Sequence, residues 1–263
     1  MKKLSRLPAY AYVLLCFAFF YLPIIVTVIF SFNSSKSLTN FTGFSLKWYQ
    51  ELISNSEIMS AVYVSFSIAV IATIVSTVLG TLTALGLSGN KKIVREWLLN
   101  VNNLPIMNPE IVTAIGLMIL FSATKIQKGY ATMLIAHIMF CTPYVITSVY
   151  PHVKGLDANI ANAAMDLGAT PAQALLKVII PMIKPGIFAG VLLAFTMSID
   201  DFVISYFVSG NGVMNISIIV YNMTKRTNPT INALSTIIIA IVIVALVVVN
   251  ILVPRIKRKK VEL

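Results

Sequence analysis

Three carboxylates stand where carboxylates are rare. Glu110, Asp200 and Asp201 fall inside long apolar stretches of the 263-residue sequence, and no Lys or Arg shares those stretches with them. An ionised side chain within a membrane span costs at least about 2.5 kcal/mol on insertion scales, so such residues face a bundle interior or a water-filled path. Negative charge without a counterion suits the passage of a cation, because Coulomb attraction and charge-assisted hydrogen bonds replace the hydration the cation loses. On a helical wheel Ser198, Asp201, Ser205 and Ser209 lie within roughly 80° of one another, whereas Asp200 turns about 100° away. Asp201 is therefore the first choice for a path-lining residue, with Ser198 and Ser205 on its stripe. Asp200 is kept beside it, because one helical bulge would exchange their faces. The other use for one of the pair is a hydrogen bond to a neighbouring helix.

Helices in lipid must hold these residues. The sequence is 58% hydrophobic and 11% charged, with a mean hydropathy of +0.88. A soluble domain carries roughly 25% charged residues, so a water-soluble fold is excluded. Apolar stretches of the about 20 residues a crossing needs lie near 10–30, 61–87, 104–122, 130–150, 186–208 and 231–253. The expectation is an all-α polytopic membrane protein of six transmembrane helices, forming a single domain over 1–263. The first stretch follows Lys2, Lys3 and Arg6 like a signal sequence, but it is longer than a signal core and lacks a small-x-small cleavage site, so it is retained as a span. Pro105 and Pro109, just before Glu110, suit a helix interruption lining a cavity or an ordinary kink.

Lys and Arg number 20 against 9 Asp and Glu, a balance that alone would suggest nucleic-acid binding. Their placement argues for topology instead, with no nucleic acid as partner. Lys2, Lys3, Arg6, Lys91, Lys92, Arg95, Lys154, Lys177, Lys184 and the 255–260 tail fall on one side, and only Lys36, Lys47, Lys125, Lys128, Lys225 and Arg226 on the other. The positive-inside rule then puts both termini in the cytoplasm. In that orientation Glu110 lies ~9 Å from the inner end of its span, and Asp200 and Asp201 ~21 Å from the inner end of theirs. The basic tail reads as a stop-transfer anchor, with contact to anionic lipid as a second use. The outer segment 31–58, with Phe41, Phe44, Trp48 and Tyr49, reads as an interfacial element.

No catalytic residue and no metal site is expected. There is no Gly-x-x-x-x-Gly-Lys-Ser/Thr loop, so the chain has no ATPase site of its own. His137 in the fourth span and His152 after it lack further ligands at metal spacing and read as hydrogen-bonded structural residues. Cys16 and Cys141 read as small hydrophobes.

The inner loop 151–185 carries the strongest local signal. Asp157 caps a first short helix and Gly168 ends it; Thr170 opens a second, with Pro171 at its first position and Gln173 completing a capping box, and Pro181 is expected to stop it. Local structure alone leaves a surface re-entry loop and a docking element on equal terms. The run Asn162-Ala163-Ala164, then Gly168, Val178, Ile180 and Pro181, resembles the EAA loop of ABC-importer permeases (Glu-Ala-Ala, three residues, Gly, nine residues, Ile-x-Leu-Pro). That resemblance implies a type I importer permease fold in which this loop is the coupling helix docking on a cytoplasmic ATPase, with Asn162, Ala163, Ala164, Asp166, Gly168 and Pro181 as the coupling residues. Asn162 departs from the family glutamate, while Asp166 keeps a carboxylate one turn on.

Asn108-Pro109-Glu110-Ile111-Val112, Asp166-Leu167-Gly168-Ala169 and Phe195-Thr196-Met197-Ser198-Ile199-Asp200-Asp201 extend the resemblance over nearly the whole chain, towards the second permease subunit of spermidine/putrescine importers. The resemblance implies a bacterial inner-membrane subunit with a homodimeric ATP-binding partner carrying ATP and Mg, a second related permease and an extracytoplasmic polyamine-binding protein. It implies no cofactor on this chain. Two alternatives stand beside it: the same architecture for another small solute, and a self-contained cation-coupled secondary transporter. The latter leaves the EAA-like loop without a role and predicts inverted repeats, which the sequence does not show.

Overall fold

A computed structural model describes residues 7–37, 39–157, 159–225 and 229–247, and these are predominantly helical. In chain order the helices are α1 (Leu7–Phe30), α2 (Lys47–Ser54), α3 (Ser56–Ser88), α4 (Lys92–Met107), α5 (Glu110–Ala123), α6 (Tyr130–Lys154), α7 (Ile160–Asp166) and α8 (Pro171–Ala174). A π-helical turn at Leu175–Ile179 leads into α9 (Ile180–Asp200), followed by α10 (Val203–Val208), α11 (Ile216–Lys225) and α12 (Thr230–Val247). Among the described residues four helical runs are long and apolar enough to cross a bilayer: Tyr10–Phe30, Ser56–Ser88, Tyr130–Lys154 and Pro171–Asp200. The α4–α5 pair makes a fifth if taken as one span bent by 100°. The stretch expected at 231–253 begins as α12 and runs beyond the described residues.

Three expected elements are corrected. The third stretch is not one helix over 104–122, because α4 ends at Met107 and α5 starts at Glu110. Asn108 precedes a proline and is driven into extended conformation (φ −75°, ψ 143°), so the break falls at Pro109 and not at Pro105, which is accommodated inside α4. The fifth stretch, expected over 186–208, is interrupted after Asp200, with Asp201 extended at φ −63°, ψ 125°. Pro181 does not stop the second loop helix. The widened π turn just before it absorbs the proline's missing donor and ring bulk, and the chain continues into α9.

Contacts gather the described residues into two units, one from those of 7–59 and 220–247, the other from those of 60–219. In the first, α12 packs on α1 and α2. Asn33 organises the segment between α1 and α2. Its buried Nδ2 donates to the carbonyls of Ser37 and Asn40, both at 2.9 Å, and its Oδ1 accepts from the Thr42 amide at 2.8 Å. Trp48 Nε1 donates to the Asn33 carbonyl at 2.6 Å, so the segment is folded on itself.

The second unit is built on the α6–α9 seam. Gly186, Gly190, Ala194 and Ser198 recur at every fourth position of α9 and are all buried. In lipid, apolar side chains gain little by leaving the solvent, so helices associate through close packing of small residues and hydrogen bonds. A methyl group on Gly190 would lie 3.2 Å from Val145 Cγ1, and one on Gly186 would lie 2.5 Å from His152 Nδ1. Gly80 of α3 presses on the same Val145, where a Cβ would fall 2.6 Å from Cγ1 and 3.2 Å from the Ile146 amide nitrogen. Val145 is thus held between glycines of two helices. Cys141 Sγ adds a contact to the Ala194 carbonyl at 3.4 Å.

Replacing Gly80 by Ala is expected to lower unfolding stability in detergent by about 1–3 kcal/mol, the usual cost of overpacking a tight contact. Gly86→Ala, on the same helix with nothing within 4 Å of the added methyl, is expected to leave stability unchanged or slightly raised. Denaturant titration of the two variants followed by circular dichroism checks the contrast.

Candidate functional site

The break between α4 and α5 places Glu110 at the first position of α5, where a carboxylate also suits the positive end of the helix. Glu110 is exposed and lines a cavity of about 220 Å³ together with Asn108, Phe140, Tyr144, Met197 and Ile204, among others. The cavity wall is therefore supplied by both sides of two helix breaks: Asn108 and Glu110 flank the first, Met197 and Ile204 the second. α10 packs directly on α5, which brings the breaks together. Among the described residues no Lys or Arg forms an ion pair with Glu110 or Asp200.

The two neighbouring aspartates face opposite ways. Asp200, the last residue of α9, is exposed; Asp201 is buried. Asp201 Oδ1 accepts from the Ile204 amide at 3.2 Å, while Oδ2 accepts from the Ser205 amide at 2.7 Å and the Ser205 hydroxyl at 2.6 Å. A carboxylate so placed caps the first turn of α10. The Ser198, Asp201, Ser205, Ser209 stripe exists, but all four are buried and turned into the protein. The wheel assumed one continuous helix, whereas the chain is extended at Asp201, so the exposed acid is the one that the wheel put second.

His137 completes this cluster. It is almost wholly buried, with Nδ1 2.7 Å from Ser198 Oγ and Nε2 3.0 Å from Ser205 Oγ and 3.4 Å from Asp201 Oδ2. Asn215 closes the far side, donating to the Asp201 carbonyl at 2.8 Å and to Ser205 Oγ at 2.9 Å. Sequence spacing gives no sign of this: His137 stands 61 and 68 residues from the two serines it bridges, and Asn215 sits in an unremarkable polar turn. The hydrogen-bonded role expected of His137 is what the geometry provides, but its partners were not foreseeable.

The 151–185 loop follows its local rules at Gly168, Thr170 and Gln173, but Asp157 is not the cap of α7, whose N-cap is Asn159 without a side-chain cap bond. Asp157 Oδ1 accepts from the Asn159 amide at 2.8 Å just ahead of α7. Gly168, at φ +89°, ends the helix in the left-handed region, with its amide on the Met165 carbonyl at 2.8 Å and the Ala169 amide on the Ala164 carbonyl at 3.1 Å. This is a Schellman closure, which favours glycine at that position. Thr170 and Gln173 form the reciprocal capping box, at 3.0 and 3.3 Å. Asn162, Ala163, Asp166 and Gly168 are exposed and Ala164 is half-buried; Pro181 is exposed beyond the π turn. Leu167, at the tip, is 90% exposed.

Residues 76–260 match the family described as binding-protein-dependent transport system inner membrane component. The chain is 38% identical over 226 residues to the spermidine/putrescine transport system permease protein PotC of Escherichia coli (strain K12), an alignment covering 86% of each chain. It is 37% identical over 262 residues to the putrescine transport system permease protein PotI of the same strain, covering 94% of this chain and 91% of the other. A solved bacterial ABC transporter involved in the import of the acidic polysaccharide alginate shares the fold, with a TM-score of 0.71 at 16% identity over 97% of both chains. The chain belongs to the binding-protein-dependent transport system inner membrane component family, as a permease subunit of an ABC importer.

Proposed function

We propose that this permease carries a polyamine, spermidine or putrescine, into the cytoplasm, and that Glu110 and Asp200 are the carboxylates its ammonium groups pass. The observation that carries this reading is the exposure of two acids without a Lys or Arg partner among the described residues, one on each of the breaks that wall the cavity. Likeness to two permeases named for polyamine transport supports it. A protonated amine entering the cavity exchanges water for the Glu110 carboxylate, and the faces of Phe140 and Tyr144 suit the methylene chain and the cation alike. Asp201, Ser198 and Ser205 serve the path from behind, by holding the broken helix in shape.

The wider assembly follows the same reading. A homodimeric ATP-binding subunit holds ATP and Mg and docks on the 151–185 loop, a second related permease shares the path, and an extracytoplasmic polyamine-binding protein delivers cargo. The chain lies in a bacterial inner membrane with both termini cytoplasmic, the orientation that puts the larger share of Lys and Arg inside. Leu167 is the anchor of the docking face: it is the apolar tip of a turn closed by the Gly168 and Ala169 amides on the Met165 and Ala164 carbonyls.

Uptake of labelled spermidine by proteoliposomes containing the whole importer is expected to fall about tenfold, about 1.4 kcal/mol, for Glu110→Gln and for Asp200→Asn, with assembly intact. Normal uptake by both variants would remove these acids from the path. Asp201→Asn is expected to act differently, lowering unfolding stability by about 1–3 kcal/mol because an amide NH₂ then faces donors at the start of α10. A second expectation concerns coupling: Leu167→Asp lowers cargo-stimulated ATP turnover at least about tenfold by placing a charge in a desolvated docking site, without changing the thermal stability of the permease. Unchanged turnover in that variant would remove Leu167 from the docking face.

A further inference from the structure

The helix break that presents Asp200 is held by a side chain outside the path. We infer that His137 is a positioning residue for transport: it clasps the two halves of the broken helix, α9 and α10, and so sets the direction of Asp200 and the spacing of the cavity wall. This rests on the reading of Asp200 as a path residue and goes beyond it in naming what fixes that residue.

The hydrogen inventory supports the clasp. Ser205 Oγ has one hydrogen and gives it to Asp201 Oδ2 at 2.6 Å, so it meets Asn215 Nδ2 and His137 Nε2 as an acceptor. The network therefore assigns a ring proton to Nε2; with the ring neutral, Nδ1 accepts from the Ser198 hydroxyl. In this assignment the ring is a one-way bridge, receiving from the last turn of α9 and donating to the first turn of α10. No aliphatic side chain does both. The ring also touches the cavity wall: Phe140 packs against it with centroids 5.1 Å apart, and Met197 and Ile204 each stand one residue before a serine that the ring holds. At the break, the Asp200 carbonyl meets the Ser217 hydroxyl at 3.5 Å and the Asp201 carbonyl is held by Asn215, so the backbone beneath Asp200 is fixed on both sides. Thr132, on the same helix as His137, anchors the far end of α10 by donating to the Val208 carbonyl at 2.8 Å.

The test is spermidine taken up per ATP hydrolysed in proteoliposomes of the assembled importer, a ratio that loss of folded protein alone does not change. His137→Leu is expected to lower the ratio about tenfold, and His137→Gln, whose amide both donates and accepts, to recover it to within about threefold of wild type. Because His137 acts through Asp200, the double variant His137→Leu/Asp200→Asn should also lose about tenfold, not the about hundredfold of independent effects. Should His137→Leu fail to assemble, Ser198→Ala, which leaves the ring in place, is measured by the same cycle. An unchanged ratio in the single variant, or additive losses in the double, overturns the inference while the path reading stands. A normal ratio for Asp200→Asn alone would instead remove Asp200 from the path and take both readings with it.

Discussion

A chain in lipid has no water to satisfy exposed backbone, so a helix can be broken inside a membrane only where the protein itself supplies the missing partners. At the Asp201–Phe202 break that supply is one carboxylate. Asp201 takes the amides of Ile204 and Ser205 and the Ser205 hydroxyl, and the ring of His137 and the amide of Asn215 close round it. The rest of the site depends on this. An intact helix would already set Asp200 and Asp201 about 100° apart; with the break, Asp201 is buried against the start of α10 and Asp200 is exposed. Two adjacent residues of the same chemistry thus differ in burial and partners because of the backbone between them.

The seam between α6 and α9 is the support on which that break stands. Glycines at 186 and 190 bring the helices close enough that Val145 and Cys141 fill the gap, and the same row of small residues runs on through Ala194 to Ser198, where contact becomes hydrogen bonding to His137. Packing and polar network form one continuous line. A change in helix spacing low on the seam is felt at the clasp, since interdigitated packing does not yield gradually. The solved alginate importer shares this fold at 16% identity, and in the proposed reading the charge of the path comes from individual side chains such as Glu110.

Much of this was legible in the sequence because membranes impose simple rules. Apolar run length located the long helices, and the Asn162-Ala163-Ala164 to Pro181 spacing located the loop and the family. Local cap chemistry at Gly168, Thr170 and Gln173 is readable because the partners lie within five residues of one another. What failed were inferences across helix interruptions. The wheel that favoured Asp201 assumes an unbroken helix, and nothing near position 201 announces a break, since Phe202 is neither proline nor glycine. Pro181 suggests the end of a helix that a π turn instead lets continue. His137 and Asn215 were opaque for a different reason: their partners are distant in sequence, and only tertiary packing brings them together.

The closed hydrogen bonding of residues 163–173 bears on the docking proposed for this loop. A segment that folds only on contact must surrender conformational entropy at the moment of binding; here the Schellman closure and the capping box have already fixed the backbone. The ordering penalty is met when the permease itself folds. In the docking proposed above, a subunit arriving at this surface meets a preformed shape and can leave and return without refolding of the loop, with the exposed Leu167 at its tip.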